Sequence, residues 1–181
     1  MANVFKRGKM LSGVADSYLT NVVADVELPD GALVVCGDLA PNTVYDPAGL
    51  DGLEYDTYIV AAPAAATDEV VIVDYAGISE GAIADNVYKM GNKLYGLKVP
   101  AGTIARARRL ALHDKYWIGE DNFDTEPTVG KFATAEAGEF THKAAASLPG
   151  SGFAVKVLIK EDLTTGMKSN GSIYLVEVVQ L

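Results

Sequence analysis

The chain has 181 residues, 49% of them apolar and 22% charged, a globular balance that excludes wholesale disorder and suffices for one well-packed domain or two small ones. A net charge of −9 disfavours nucleic acid and anionic membranes as partners, and no apolar run is long enough to cross a bilayer. The single cysteine, Cys36, excludes an intrachain disulfide and a thiolate metal cluster, and it fits synthesis in a reducing compartment.

Charge is strongly segregated. Residues 1–10 carry Lys6, Arg7 and Lys9 and no acid. Residues 11–88 hold fourteen acids and no Lys or Arg, and residues 89–181 hold twelve bases and ten acids. The acidic block is either a solvated face that keeps the protein soluble or a surface for a basic protein or hydrated cations. The change near residue 88 allows an acidic β subdomain over 21–88 and a β-rich one over 89–181; a single fold with an acidic face is equally open.

Residues 1–20 show neither helical nor strand periodicity and read as an extended arm, frayed or docked on a neighbouring subunit through Lys6, Arg7 and Lys9. No apolar segment of signal-peptide type follows this basic start, so synthesis in the cytoplasm is expected. Val22–Leu28 and Ala32–Cys36 flank the turn Pro29-Asp30-Gly31 and together predict a β-hairpin. Residues 37–58 read as loop, and the spacing of Asp46, Asp51, Glu54 and Asp56 does not match an EF-hand calcium loop. Strands are expected at Tyr58–Ala62 and Glu69–Tyr75, a short helical turn at Ser79–Asn86, and a hairpin turning at Gly91-Asn92.

Beyond Val99 the pattern is β to the end. Thr103–Leu110, Lys115–Ile118, Thr128–Thr134, Phe153–Lys160 and Ile173–Val179 are rich in β-branched or aromatic residues, and Gly, Pro, Asn or Asp bound them. Arg106, Arg108 and Arg109 are expected to pair with the chain's own acids, because no array of stacking aromatics accompanies them. The fold class is therefore mainly β: sandwich or barrel-like, with short helical turns and the N-terminal arm.

Chemistry-bearing motifs are few. Gly77-Ile78-Ser79-Glu80-Gly81 fits a nucleophile elbow after an apolar strand, which leaves a small serine hydrolase with His113 or His142 as base as the alternative function. Alternating strand–helix units and a Gly-rich oxyanion segment are both missing, and a pattern with two free positions recurs easily among eighteen glycines. Cys36 in its apolar strand reads as a small hydrophobe, and His142 reads as a surface residue. Phosphate-binding Gly fingerprints are absent, and no cofactor, metal site or catalytic residue is expected. Tyr116, Trp117 and Phe123 read as core or interface anchors.

A layout nevertheless stands out. A Met-Ala-Asn-Val-Phe-Lys-Arg-Gly start leads into an acidic Ala/Gly/Val-rich middle. Asp114–Phe123, Thr128–Ala133 and, after a loop of small residues, Gly152–Val157 follow. This layout resembles the capsid decoration (cement) proteins of tailed bacteriophages of Gram-positive hosts, mainly over residues 114–160. The resemblance implies a non-enzymatic β-rich virion protein on the capsid exterior, made in the host cytoplasm and bound to the major capsid protein, often as a trimer. Under it, Lys6, Arg7, Lys9, Tyr116, Trp117 and Phe123 are the capsid-contact candidates. A host-binding β module displayed on the virion is a further alternative.

Overall fold

The computed structural model describes residues 5–13, 15–40, 57–75, 98–165 and 168–181. Its strands, in chain order, are β1 (Phe5–Arg7), β2 (Leu19–Val23), β3 (Leu28–Pro29), β4 (Leu33–Leu39), β5 (Thr57–Ala61) and β6 (Val71–Asp74). They continue with β7 (Lys98–Val99), β8 (Ala105–Arg109), β9 (Lys115–Gly119), β10 (Phe132–Ala135), β11 (His142–Ala145), β12 (Ala154–Thr165) and β13 (Lys168–Gln180). Single 3-10 turns occupy Leu11–Gly13, Asp16–Tyr18 and Glu120–Asn122. The protein is mainly β, as the runs of β-branched and aromatic residues require.

Two sheets carry the fold. Strands β2-β5-β4-β6-β8 close into a barrel, and β1-β9-β13-β12-β10-β11 form a six-stranded antiparallel sheet. Of the two arrangements left open, a division near residue 88 or a single fold, the barrel draws on both sides of that position, because β8 returns to pair with β2 and β6. The barrel lumen is narrow, as five strands dictate, and holds small side chains such as Val22, Ala24, Val34, Val60, Val71, Val73, Ala105 and Ala107. Alternate residues of β4 and β6, Leu33 and Ile72, point the other way and join the sheet's core with Phe5, Tyr116, Ile118, Phe153 and Tyr174. The two sheets therefore share one hydrophobic layer.

The hairpin expected across Pro29-Asp30-Gly31 is not formed. The turn exists, with Gly31 at φ 83° and Ala32 N–H donating to Pro29 O at 3.1 Å, but β2 and β4 are separated by β5, which runs parallel to β2. Asp30 explains the detour: its buried carboxylate accepts Phe5 N–H at 3.0 Å and Tyr75 N–H at 2.9 Å, tying the turn to β1 and the end of β6. From Phe5 on, the expected arm lies against its own chain. Phe5 is buried, β1 pairs with β9, and the buried Asp114 accepts Leu11 N–H at 2.8 Å.

The expected pairing with the acidic block is observed for Arg108, with Asp74, and for Arg109, with Glu69. Arg108 is buried despite the strand's alternation, with its Nε 2.6 Å from Asp74 Oδ2 and an Nη donating to Ser12 O at 2.8 Å. It lies on the face opposite Ala105 and Ala107, and its guanidinium is held there between Asp74 and the Ser12 carbonyl. The helical turn at Ser79–Asn86, the Gly91-Asn92 hairpin, the nucleophile elbow and the loop acids Asp46, Asp51, Glu54 and Asp56 lie outside the described residues.

Candidate interaction surface

The aromatic candidates divide between two faces of β9. Tyr116 and Ile118 are fully buried toward the barrel, whereas Trp117 is half-buried on the opposite face. Phe123, just after the 3-10 turn, is also buried, stacked 5.3 Å from His142 and 5.4 Å from Tyr174. Tyr116 and Phe123 are thus core residues, and they form no surface patch with Trp117. The period-2 alternation of a strand enforces this split.

His142 corrects its expected surface placement, because it is fully buried at the centre of the ring cluster. Its Nδ1 lies 3.3 Å from the carbonyl oxygen of Asn122, so Nδ1 carries the proton and Nε2 accepts from Tyr116 O–H at 3.1 Å. Burial pushes the imidazole pKa down to about 4 and the Tyr116 phenol up. Both ring nitrogens are engaged in the core. His113 sits exposed at the surface, with Nδ1 3.2 Å from Glu177.

The basic candidates are exposed but anchored. Arg7 reaches toward Asp74 at 3.9 Å, and Lys9 uses its carbonyl to accept Lys115 N–H at 2.8 Å. Lys6 lies directly opposite Trp117 on the outward face. The register carries that row across four strands: Lys6 on β1, Trp117 on β9, Leu175 on β13 and Ile159 on β12 are successive cross-strand partners. Trp117 and Leu175 are half-buried, and Ile159 is 45% exposed. The next row, Lys115, Glu177 and Lys156, is charged, with Lys115 Nζ 3.7 Å from Glu177. An apolar stripe bordered by charges therefore crosses the face of the sheet that turns away from the barrel, the arrangement of an interaction surface. Leu175 and Ile159 were not foreseen, because only the strand register places them beside Trp117.

Both edge strands of the sheet have backbone groups capped by the chain itself. Beside β1, Asp30 takes Phe5 N–H; beside β11, Asp124 N–H donates to His142 O at 2.9 Å and its carboxylate accepts Ala144 N–H at 2.8 Å. Such blocking hinders uncontrolled edge pairing and leaves the outward face as the surface offered for contact. Past the sheet, β12 and β13 run on as a two-stranded ribbon, paired to each other at Thr164–Ser169 and Thr165–Lys168. Its root is tied by Ser172 N–H to Glu120 (2.9 Å) and by Lys160 to Glu126 (2.8 Å), a hydrogen bond that holds the Glu126 carboxyl below its ordinary range.

Among the described residues, no group of three or more His, Cys, Asp or Glu side chains is arranged to hold a metal ion. No described helix is long and apolar enough to cross a membrane. Comparison with protein-family models, curated proteins and solved structures finds no match.

Proposed function

We propose that this chain is a structural, non-enzymatic virion protein that binds the outside of a tailed-phage capsid lattice and stabilises it. The observation that carries the reading is the outward row Lys6–Trp117–Leu175–Ile159, an apolar stripe that runs from half-buried Trp117 and Leu175 to exposed Ile159. The resemblance over residues 114–160 points the same way. In this reading the major capsid protein is the partner, and the stripe docks with Lys6 at its basic end. The chain acts as a homo-oligomer, with a trimer favoured, because lattice symmetry multiplies weak contacts.

Co-sedimentation with phage heads that lack the protein tests this, with the oligomer mass measured by light scattering. Saturable binding at the stoichiometry of a symmetry position is expected. Ile159→Asp, which places a charge in the exposed stripe, is expected to abolish co-sedimentation while the thermal midpoint stays within a few degrees. Absence of binding to any assembled shell would overturn the reading. Reaction of the folded protein with a fluorophosphonate at Ser79 would then favour the hydrolase, and binding to host cells but not shells would favour a host-binding module.

A further inference from the structure

The barrel is zipped on only part of its circumference. Among the described residues, β4 pairs with β6 at Leu33–Ile72 and Val34–Val71 and nowhere beyond, although β4 continues to Leu39 alongside β5. Farther along β4, between Cys36 and Leu39, Gly37 and Asp38 together face Ile59 of β5, an irregularity of bulge type. Beside this stretch lies an open seam of about 300 Å³. One wall is Val35, Cys36 and Gly37; the other is Asp68, Glu69 and Arg109, with Tyr58 and Val71 also lining it. Through Asp68, Glu69 and Arg109 the seam opens into a second cleft of about 370 Å³ that reaches Leu110, Phe153 and Leu181.

Two properties define what fits. The edge of β4 turned toward the seam, from Val35 to Leu39, has no strand beside it among the described residues, and an exposed strand edge is a template for one more strand. The rim is acidic. Asp68 and Glu69 line it opposite the base Arg109, which lies 3.5 Å from Glu69, and Asp38 lines the adjoining groove together with Asp68, whose carboxylate also accepts Ala64 and Ala65 N–H at 2.7 and 2.9 Å. Half-buried Cys36 and Tyr58 provide apolar contacts.

We infer that the seam receives an extended basic segment of the capsid protein, which adds to the edge of β4 as an extra strand and sets its cations against Asp38, Asp68 and Glu69. This inference rests on the lattice-binding reading and deepens it: the stripe supplies a face-on contact, and the seam captures a strand. A captured strand gives directional hydrogen bonds that an apolar face lacks, and the acidic rim selects a basic segment over a neutral one.

Cys36, the chain's sole cysteine, lines the seam and makes the test direct. Burial raises its thiol pKa, so labelling with a maleimide is followed at mildly alkaline pH, for the free protein and for protein sedimented on phage heads. Labelling at least tenfold slower in the sedimented fraction is expected. Glu69→Lys reverses a rim charge on a side chain that is 83% exposed, so the fold tolerates it. It is expected to weaken shell binding about tenfold at low ionic strength, with the difference shrinking as salt screens the rim. Sedimented protein whose Cys36 reacts as fast as in the free protein, or a Glu69→Lys variant that binds shells unchanged, overturns the seam and leaves the stripe intact. Failure of the wild-type protein to sediment at all overturns the lattice reading and, with it, this partner.

Discussion

The barrel lumen and the layer beneath the sheet bury apolar surface with different side chains. The barrel cluster is built from small side chains, Val22, Ala24, Val34, Val60, Val71, Val73, Ala105 and Ala107 among them, with the rings Tyr58, Tyr75 and Phe140 only partly buried against it, as a narrow five-stranded closure favours. The open face of the six-stranded sheet instead accommodates Phe5, Tyr116, Phe123, Phe153 and Tyr174, with ring centroids 5.3–6.3 Å apart around His142. Rings bring polar atoms with them, and a buried polar atom must be hydrogen-bonded. The sheet layer therefore holds a buried imidazole, His142, whose pKa is pushed down to about 4 by burial. The barrel's own polar commitment lies outside the lumen, where Arg108 pairs with Asp74 and donates to the Ser12 carbonyl.

The largest effect is expected from breaking that pair. Asp74→Ala leaves the buried Arg108 guanidinium without its carboxylate, and a loss of about 3–5 kcal/mol is expected, read as the urea midpoint of unfolding. The transition should remain single for both regions, because Leu33 and Ile72 couple the barrel wall to the sheet. Separate barrel and sheet transitions would show that the shared layer does not bind them.

Next in size is the acid response of the sheet layer. The folded pKa of His142, about 4, lies below its ordinary value of 6.5, so the unfolded chain takes up the proton first as pH falls. Stability from this site is complete above pH 6.5 and is lost progressively toward pH 4. Each unit is worth about 1.4 kcal/mol, so a loss of about 2 kcal/mol between pH 7 and pH 5 is expected. His142→Gln should flatten that slope even if it lowers stability at neutral pH. An unchanged slope would remove His142 as its source. Smallest is Tyr116→Phe, which keeps the ring and deletes the hydroxyl that donates to His142 Nε2. A loss of about 1–2 kcal/mol is expected, with near-ultraviolet circular dichroism reporting that the ring packing survives.

Part of this contrast was legible in the sequence. Strands β5, β6, β8 and β9 fall on the runs rich in β-branched, aromatic or alternating apolar residues, because strand formation follows from local side-chain shape and flanking turn residues. Trp117 and Lys6 were recognisable as contact candidates. The row that joins them to Leu175 and Ile159 was not, since only the pairing register brings these positions of four separate strands side by side. Within β13, alternation of Leu175, Glu177 and Val179 against Tyr174, Val176 and Val178 marks an outward and an inward face, but not which strands lie beside it.

By itself, the sequence determined the β class and the segregation of charge, for these depend on composition and on neighbours along the chain. The tertiary structure alone decided three things. It placed β5 between β2 and β4 where a hairpin was expected. It buried His142 and Arg108, whose hydrogen-bond partners Asn122, Tyr116, Asp74 and Ser12 are remote in sequence. It also left the β4–β6 seam open. The physical reason is common to all three: the free energy of burying a polar group or leaving a strand edge unpaired depends on what long-range pairing brings beside it, and local sequence does not encode that.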